Sequence, residues 1–314
     1  MAENARAINR IFTRKVIGDL IRNGSSKEFD AVVRQYINYP ESKTHGEIIK
    51  EIYAFLGKEQ RNEYYYINTL LNKLLLGIHS VNTTTALSQV RIGRHIADFV
   101  LINEEGQVYE IKSDLDNFDR LYDQLTDYFK AFSKVSVFAS EHEYNQIKRI
   151  LETFGNMGKA VGIYILTKNN TVFSPKYERE PKSFDEYLDY SYIFKLLRKS
   201  EYTRVLLQQS GELPQVAPVF YFKECLYRFQ QMPIKVAQTL TIAELKKRNK
   251  IYRDTFVNIQ SELKSTIYFS GLSKKIPDLV QLLTPCVSTV RRIAGVRRGE
   301  PRFAEPTWAV YFQE

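Results

Sequence analysis

The spacing of apolar positions changes character twice along the chain. Residues 1–59 carry a helical period. Ala5 to Arg22 is one such run, and Ser25-Ser26-Lys27-Glu28 reads as a capping box ahead of Phe29, Val32 and Val33. After a turn at Tyr39-Pro40-Glu41-Ser42, a third run from His45 to Leu56 ends at Gly57 as a C-terminal cap. Asn62 to Gly77 is apolar on most faces, the mark of a buried helix. From Leu87 the period shortens to two. Val90–Ile92, His95–Ile102 and Val108–Lys112 read as strands, with Asn103 to Gln107 as a polar hairpin loop. A helix is predicted from Asp116 to Phe132, then a strand at Val135–Ala139, a helix at Glu141–Phe154 and a strand at Val161–Leu166.

A meander followed by alternating strand and helix predicts an α/β protein with a mixed sheet flanked by helices. Asn169-Asn170 and Thr171 to Pro175 suggest a closing hairpin, and Gly155 to Ala160 reads as a linker. That segment lacks the spacing and the Ser/Thr of a phosphate loop. Past Glu178 to Lys182 the pattern becomes helical again, with a break from Gly211 to Pro218. Thr241-Ile242-Ala243-Glu244 is read as the capping box of a basic helix containing Lys246, Lys247, Arg248, Lys250 and Arg253. The expected division is a helical region over 1–59, an α/β core over 60–180 and a basic, mainly helical region over 181–314.

Composition narrows the class. With 44% hydrophobic and 13% aromatic residues in 314, the chain can bury a core. Its two cysteines, Cys225 and Cys286, support neither a disulfide framework nor a cysteine zinc site, and a reducing cytoplasm is expected. The four histidines show no ligand spacing, and His95 reads as an exposed strand-end residue. Charges break the N-terminal apolar run before signal-peptide length, and the longest apolar stretch, Leu70 to Ile78, is interrupted by Asn72 and Lys73. No membrane span is expected. The net charge of +9 is uneven, since residues 181–314 hold 21 Lys/Arg against 13 Asp/Glu while 61–180 hold 14 against 15. Basic pairs at Arg291-Arg292 and Arg297-Arg298, with Phe303 and Trp308 nearby, suit phosphate contacts; a charged outer face on a helical region gives the same pattern.

The chemistry concentrates in Arg94 to Asp114. On a strand, Glu110 and Lys112 project to one side and Tyr109 and Ile111 to the other. Pairing across the Asn103–Gln107 loop brings Asp98 opposite or diagonal to them. Two carboxylates and an ammonium on one sheet edge suit metal-dependent phosphodiester hydrolysis: Mg²⁺ or Mn²⁺ held by Asp98 and Glu110, the Ile111 carbonyl as a further oxygen, Lys112 positioning the nucleophile. A Glu-x-Lys alone is also the ordinary face of an edge strand. Gln124 and Tyr128, four apart, share a face of the next helix, where Asp114, Asp116, Asp119, Asp123 and Asp127 read as solvated or paired with Arg120 and Lys130.

Asp98, Glu110-x-Lys112 and Gln124-x-x-x-Tyr128 together resemble the PD-(D/E)XK nuclease superfamily, in its RecB-like branch. The wording Tyr109-Glu110-Ile111-Lys112-Ser113-Asp114 and the segment Asn68 to Gly77 resemble a group of small bacterial and mobile-element proteins placed there. Ala97-Asp98 replaces the superfamily's Pro-Asp and leaves the carboxylate in place. The resemblance implies a restriction-endonuclease-like α-β-β-β-α-β core with helical N- and C-terminal extensions, and Mg²⁺- or Mn²⁺-dependent cutting of DNA by Asp98, Glu110, Lys112, Gln124 and Tyr128. It also implies an acid from the preceding helix, Glu63 first and Glu47 second, and a phage-defence or mobile-element setting. Lys73 and Asn68 are further polar residues that could face the site. The expected partner is nucleic acid, DNA before RNA, with a second copy or a defence-system protein as further candidates. The alternative is a nuclease fold that binds nucleic acid or protein without cutting.

Overall fold

Capping chemistry sets the first helices of this computed structural model, which describes residues 8, 10–59, 61–78, 83–113, 116–169, 179–248, 256–272 and 277–278. The run expected from Ala5 to Arg22 is interrupted at Thr13, which caps helix α1 (Arg14–Asn23) by accepting from the Val16 N–H. Helix α2 (Lys27–Tyr36) starts at Ser26, but no capping box forms: the Ser26 hydroxyl donates instead to Glu28 at 2.9 Å. Helix α3 (His45–Glu59) runs through Gly57 rather than stopping there. Gly57 is a packing residue, since a Cβ would lie 2.7 Å from the Tyr65 hydroxyl. Helix α4 (Glu63–Leu71), capped by Asn62, continues into a π-helical stretch over Asn72–Ile78.

Five strands follow: β1 (Thr85–Ile92), β2 (His95–Ile102), β3 (Gly106–Lys112), β4 (Lys134–Ser140) and β5 (Gly162–Leu166), in spatial order 1-2-3-4-5. The first two pairings are antiparallel and the last two parallel. β1 begins well before the expected Val90, because Thr85, Ala86 and Leu87 are buried and pair with β2. Between β3 and β4 lies α5 (Leu121–Phe129), which starts later than Asp116 because Asp116 turns back to bind Ser113. Between β4 and β5 lie α6 (Tyr144–Thr153) and α7 (Gly155–Ala160), the latter a short helix where a linker was expected. β4 and β5 are buried along almost their whole length, because both their faces are covered.

One face of the sheet, with Tyr109, Ile111, Phe138 and Tyr164, packs on the N-terminal helices; Tyr66 of α4 meets Phe138 edge-on at 5.3 Å. The other face, with Val108, Val137 and Ile163, receives Leu125, Tyr128 and Phe129 of α5. Helices α8 (Tyr190–Lys195), α9 (Lys199–Ser210), α10 (Pro218–Phe229) and α11 (Ile234–Lys246) share a third cluster. The break between α9 and α10 falls where the sequence placed it, at Gly211 and Pro218. α11 passes straight through Thr241–Glu244, so no capping box opens there; Glu244 is buried and paired with Arg204 and Lys247. The last described helix, α12 (Lys264–Ser270), returns to the N-terminal helices. There Asn68, 1% exposed, accepts from the Ser265 N–H and donates to the Ser261 carbonyl and Tyr53 hydroxyl. Asn68 therefore fastens α12 and does not face the sheet edge, while Lys73 is exposed. The expected hairpin at 169–175, the basic residues Lys250 and Arg253, and the Arg291–Trp308 segment lie in whole or part outside the described residues.

Candidate active site

The pairing of β2 with β3 extends from Ile102↔Gly106 to Phe99↔Tyr109 and stops there. The next residues on the two strands are Asp98 and Glu110. In place of a further ladder bond, the Asp98 carboxylate accepts the Ile111 N–H at 2.9 Å. The period of two puts Glu110 and Lys112 on the α5 side of β3, as read from sequence, while Tyr109 and Ile111 join the opposite core. Both charged residues are buried, at 2% and 6% exposure, and their side chains are 3.0 Å apart.

Helix α5 completes the arrangement from above. Gln124 and Tyr128, one turn apart, both reach β3: Lys112 Nζ donates to Gln124 Oε1 at 2.9 Å, and the Tyr128 hydroxyl donates to Glu110 Oε2 at 2.7 Å. The same hydroxyl lies 2.9 Å from the Ile96 carbonyl, so one proton serves two acceptors. Glu110, Lys112, Gln124 and Tyr128 are thus one bonded group, and Asp98 stands beside it on the Ile111 N–H.

The carboxylates crowd one another. Burial pushes Asp98 up to about 8, reinforced by the Glu110 and Glu63 charges against the Ile111 N–H and Lys112. Glu110 is also raised by burial, by more than Lys112, Tyr128 and Gln124 pull it down. Burial and the adjoining Glu110 carboxylate keep the Tyr128 hydroxyl firmly protonated. Glu63 sits at the rim, raised by burial and by Asp116 and Glu110. Its other polar neighbour is Gln89 of β1, whose amide donates to Glu63 Oε1 at 2.8 Å. Glu47, the second helix-borne candidate, is spent elsewhere: with Thr44 it forms a capping box at the start of α3, accepting from the Thr44 N–H at 2.7 Å.

Excess negative charge of this kind fits a divalent cation. Asp98 and Glu110 are the two carboxylates that face each other, and Mg²⁺ commonly uses one or two carboxylates with water and phosphate oxygens filling the rest. No three or more His, Cys, Asp or Glu side chains among the described residues form a ready metal-holding group. Glu63 therefore stands beside the pair rather than closing a cage with it.

Residues 57–270 match the family described as Bacteriophage P4 protein cII. The chain belongs to this family. No curated protein matches it, and no solved structure does. In this P4 cII family member the matched stretch includes all of the site just described and the whole sheet.

Three features near the site escaped the sequence reading. Asp116 holds the Ser113 N–H and hydroxyl and bears on Glu63; it was read as a helix-surface charge. His95 does begin β2 but is only partly exposed: its Nδ1 lies 2.8 Å from Asp127, whose side chain is 3% exposed. Asp127, read as solvated or paired with Arg120 or Lys130, does pair with Lys130, but it is buried and also accepts from the Arg94 N–H and Tyr192. Burial raises its carboxyl, but these donors outweigh burial and hold it below the ordinary range. That cluster ties the β1–β2 turn and α8 to α5. The signal available was Asp127 lying between buried Leu125 and Tyr128. Among the described residues, no helix is long and apolar enough to cross a membrane.

Proposed function

We propose that the protein is a Mg²⁺- or Mn²⁺-dependent nuclease of the PD-(D/E)XK type acting on DNA, in a phage or mobile-element setting. One observation carries this reading: where β2 and β3 part, Asp98 faces a buried Glu110–Lys112 pair that Gln124 and Tyr128 hold from the next helix. Burying a Glu–Lys pair is costly, and evenly packed apolar residues would stabilise the strand as well or better. A bound cation would supply charge neutralisation of the scissile phosphate and a more acidic water. Asp98 and Glu110, with the Ile111 carbonyl, would hold it. Lys112, with two of its three N–H groups on Glu110 and Gln124, has one left to orient the attacking water or a phosphate oxygen. Tyr128 and Gln124 fix the rotamers of Glu110 and Lys112 so that both are presented without reorganisation. Membership in a phage protein family supports the setting.

The test is incubation of the purified protein with linear and circular, single- and double-stranded DNA in Mg²⁺, Mn²⁺ or EDTA, beside Asp98→Asn and Lys112→Met. The expected result is metal-dependent cutting lost in both variants. A second reading is favoured by the lack of a three-ligand group among the described residues: a nuclease fold that binds nucleic acid without cutting it. Salt-sensitive DNA binding with no cleavage on any substrate would select it.

A further inference from the structure

The β1–β2 ladder runs from Thr85↔Ile102 to Ile92↔His95 with one rung missing, that of Gln89 and Asp98. Asp98 thus interrupts pairing on both of its sides. At the missing rung the Gln89 backbone is left-handed, with φ 53°, a conformation shared by only one other non-glycine residue among those described, Tyr39. Long side chains enter this region at a cost, and such strain persists where surrounding structure holds it in place. Here the exposed Gln89 side chain crosses to α4 and donates to Glu63 Oε1 at 2.8 Å.

We infer that Gln89 is a positioning residue: its left-handed backbone and amide hold the Glu63 carboxylate beside the Asp98–Glu110 pair, so that a divalent cation held by that pair also feels the Glu63 charge. The inference rests on the metal-site reading above. Without the amide, Glu63, at the rim and the start of its helix, turns out to solvent, and the third negative charge leaves.

The full-length protein is titrated with Mn²⁺, following free Mn²⁺ by its EPR signal, for wild type, Gln89→Gly, Glu63→Gln and the double variant, with Asp98→Asn as the site control. Gln89→Gly takes the left-handed backbone without strain, so its unfolding midpoint in EDTA stays at or above that of wild type. Gln89→Asn, which also tolerates that backbone but is one methylene too short to reach Glu63, serves as the second variant. Either change weakens Mn²⁺ binding on the order of fivefold, the scale of removing one nearby screened charge. Glu63→Gln weakens it similarly, and in that background Gln89→Gly adds nothing. Unchanged binding in both Gln89 variants, or a full additional loss on top of Glu63→Gln, overturns the assignment. If Mn²⁺ binding follows the expected cycle but no DNA is cut, the nuclease reading falls while the role of Gln89 stands. Mn²⁺ uptake indifferent to Asp98→Asn overturns both.

Discussion

Replacing Asp98 by Asn removes a charge while keeping its acceptor, because the Asn carbonyl can take the Ile111 N–H that Asp98 now accepts at 2.9 Å. In the metal-free protein burial and the Glu110 and Glu63 charges push Asp98 up to about 8, against about 3.9 in an unfolded chain. A folded value above the unfolded one means that stability is fully present below about pH 4 and is lost progressively as pH rises through about 8. At about 1.4 kcal/mol per pH unit, the loss by pH 7 is roughly 4 kcal/mol. Partial solvent access reduces it to about 2–3 kcal/mol. Asp98→Asn escapes this loss. Urea unfolding in EDTA should therefore give similar stability for both proteins at pH 4.5 and an advantage of about 2–3 kcal/mol for the variant at pH 8.5. Mg²⁺ should reverse the order at pH 8.5 by stabilising wild type alone, with proton release on binding near pH 7 that calorimetry in two buffers can count. An advantage equal at both pH values, or none at pH 8.5, would refute the argument that like charges crowd this site.

Other consequences follow from the surrounding network. Tyr128→Phe leaves buried Glu110 without its 2.7 Å donor and should cost about 1–3 kcal/mol by urea unfolding; a variant as stable as wild type would show that the hydroxyl is dispensable. Gly93→Ala should cost more than 2 kcal/mol, on the order expected for a core clash with backbone strain. Gly93 has φ 61° and a Cβ there would lie 2.4 Å from the Tyr192 ring and 2.7 Å from the Asp127 carboxylate. Asp127→Asn should lose about 2–3 kcal/mol near neutrality, because His95, Lys130, Tyr192 and the Arg94 N–H all converge on that carboxylate. Its folded pKa is lowered, so the contribution is present above about pH 4 and fades as pH falls through the folded value; the gap between wild type and variant should close on acidification from pH 6 toward 3. A gap independent of pH would show packing, not charge, to be at stake.

What could be read from sequence was whatever a local period or a short loop determines. β2 has the predicted bounds, His95 to Ile102. The alternation along β3 sorted Glu110 and Lys112 from Tyr109 and Ile111, and helical spacing brought Gln124 and Tyr128 together. The choice between Glu63 and Glu47 stayed open in the sequence reading, although Thr44-x-x-Glu47 carried a local signal it did not use, a capping-box pattern that occupies the second carboxylate. Other features depend on partners far along the chain. Asn68 is a polar residue on an apolar helix until Ser261 and Ser265, nearly two hundred residues later, satisfy its amide. Asp127 is one acid among several until His95 and Tyr192 close on it from opposite directions in sequence.

Gln89 is the extreme case. Nothing in Ser88-Gln89-Val90 distinguishes it from any edge-strand glutamine, and a left-handed backbone runs against the strand propensity around it. Its conformation follows from Asp98, which turns its carboxylate toward Ile111 and leaves the rung opposite Gln89 empty. The Asp98 carboxylate re-satisfies the Ile111 N–H that the broken ladder leaves over, and at the empty rung the Gln89 side chain reaches Glu63. The departures from regular pairing gather around Asp98, where the carboxylates also raise one another. That coincidence of strained backbone, broken ladder and crowded charge in one place is the strongest physical reason to look for chemistry there rather than in the basic C-terminal region.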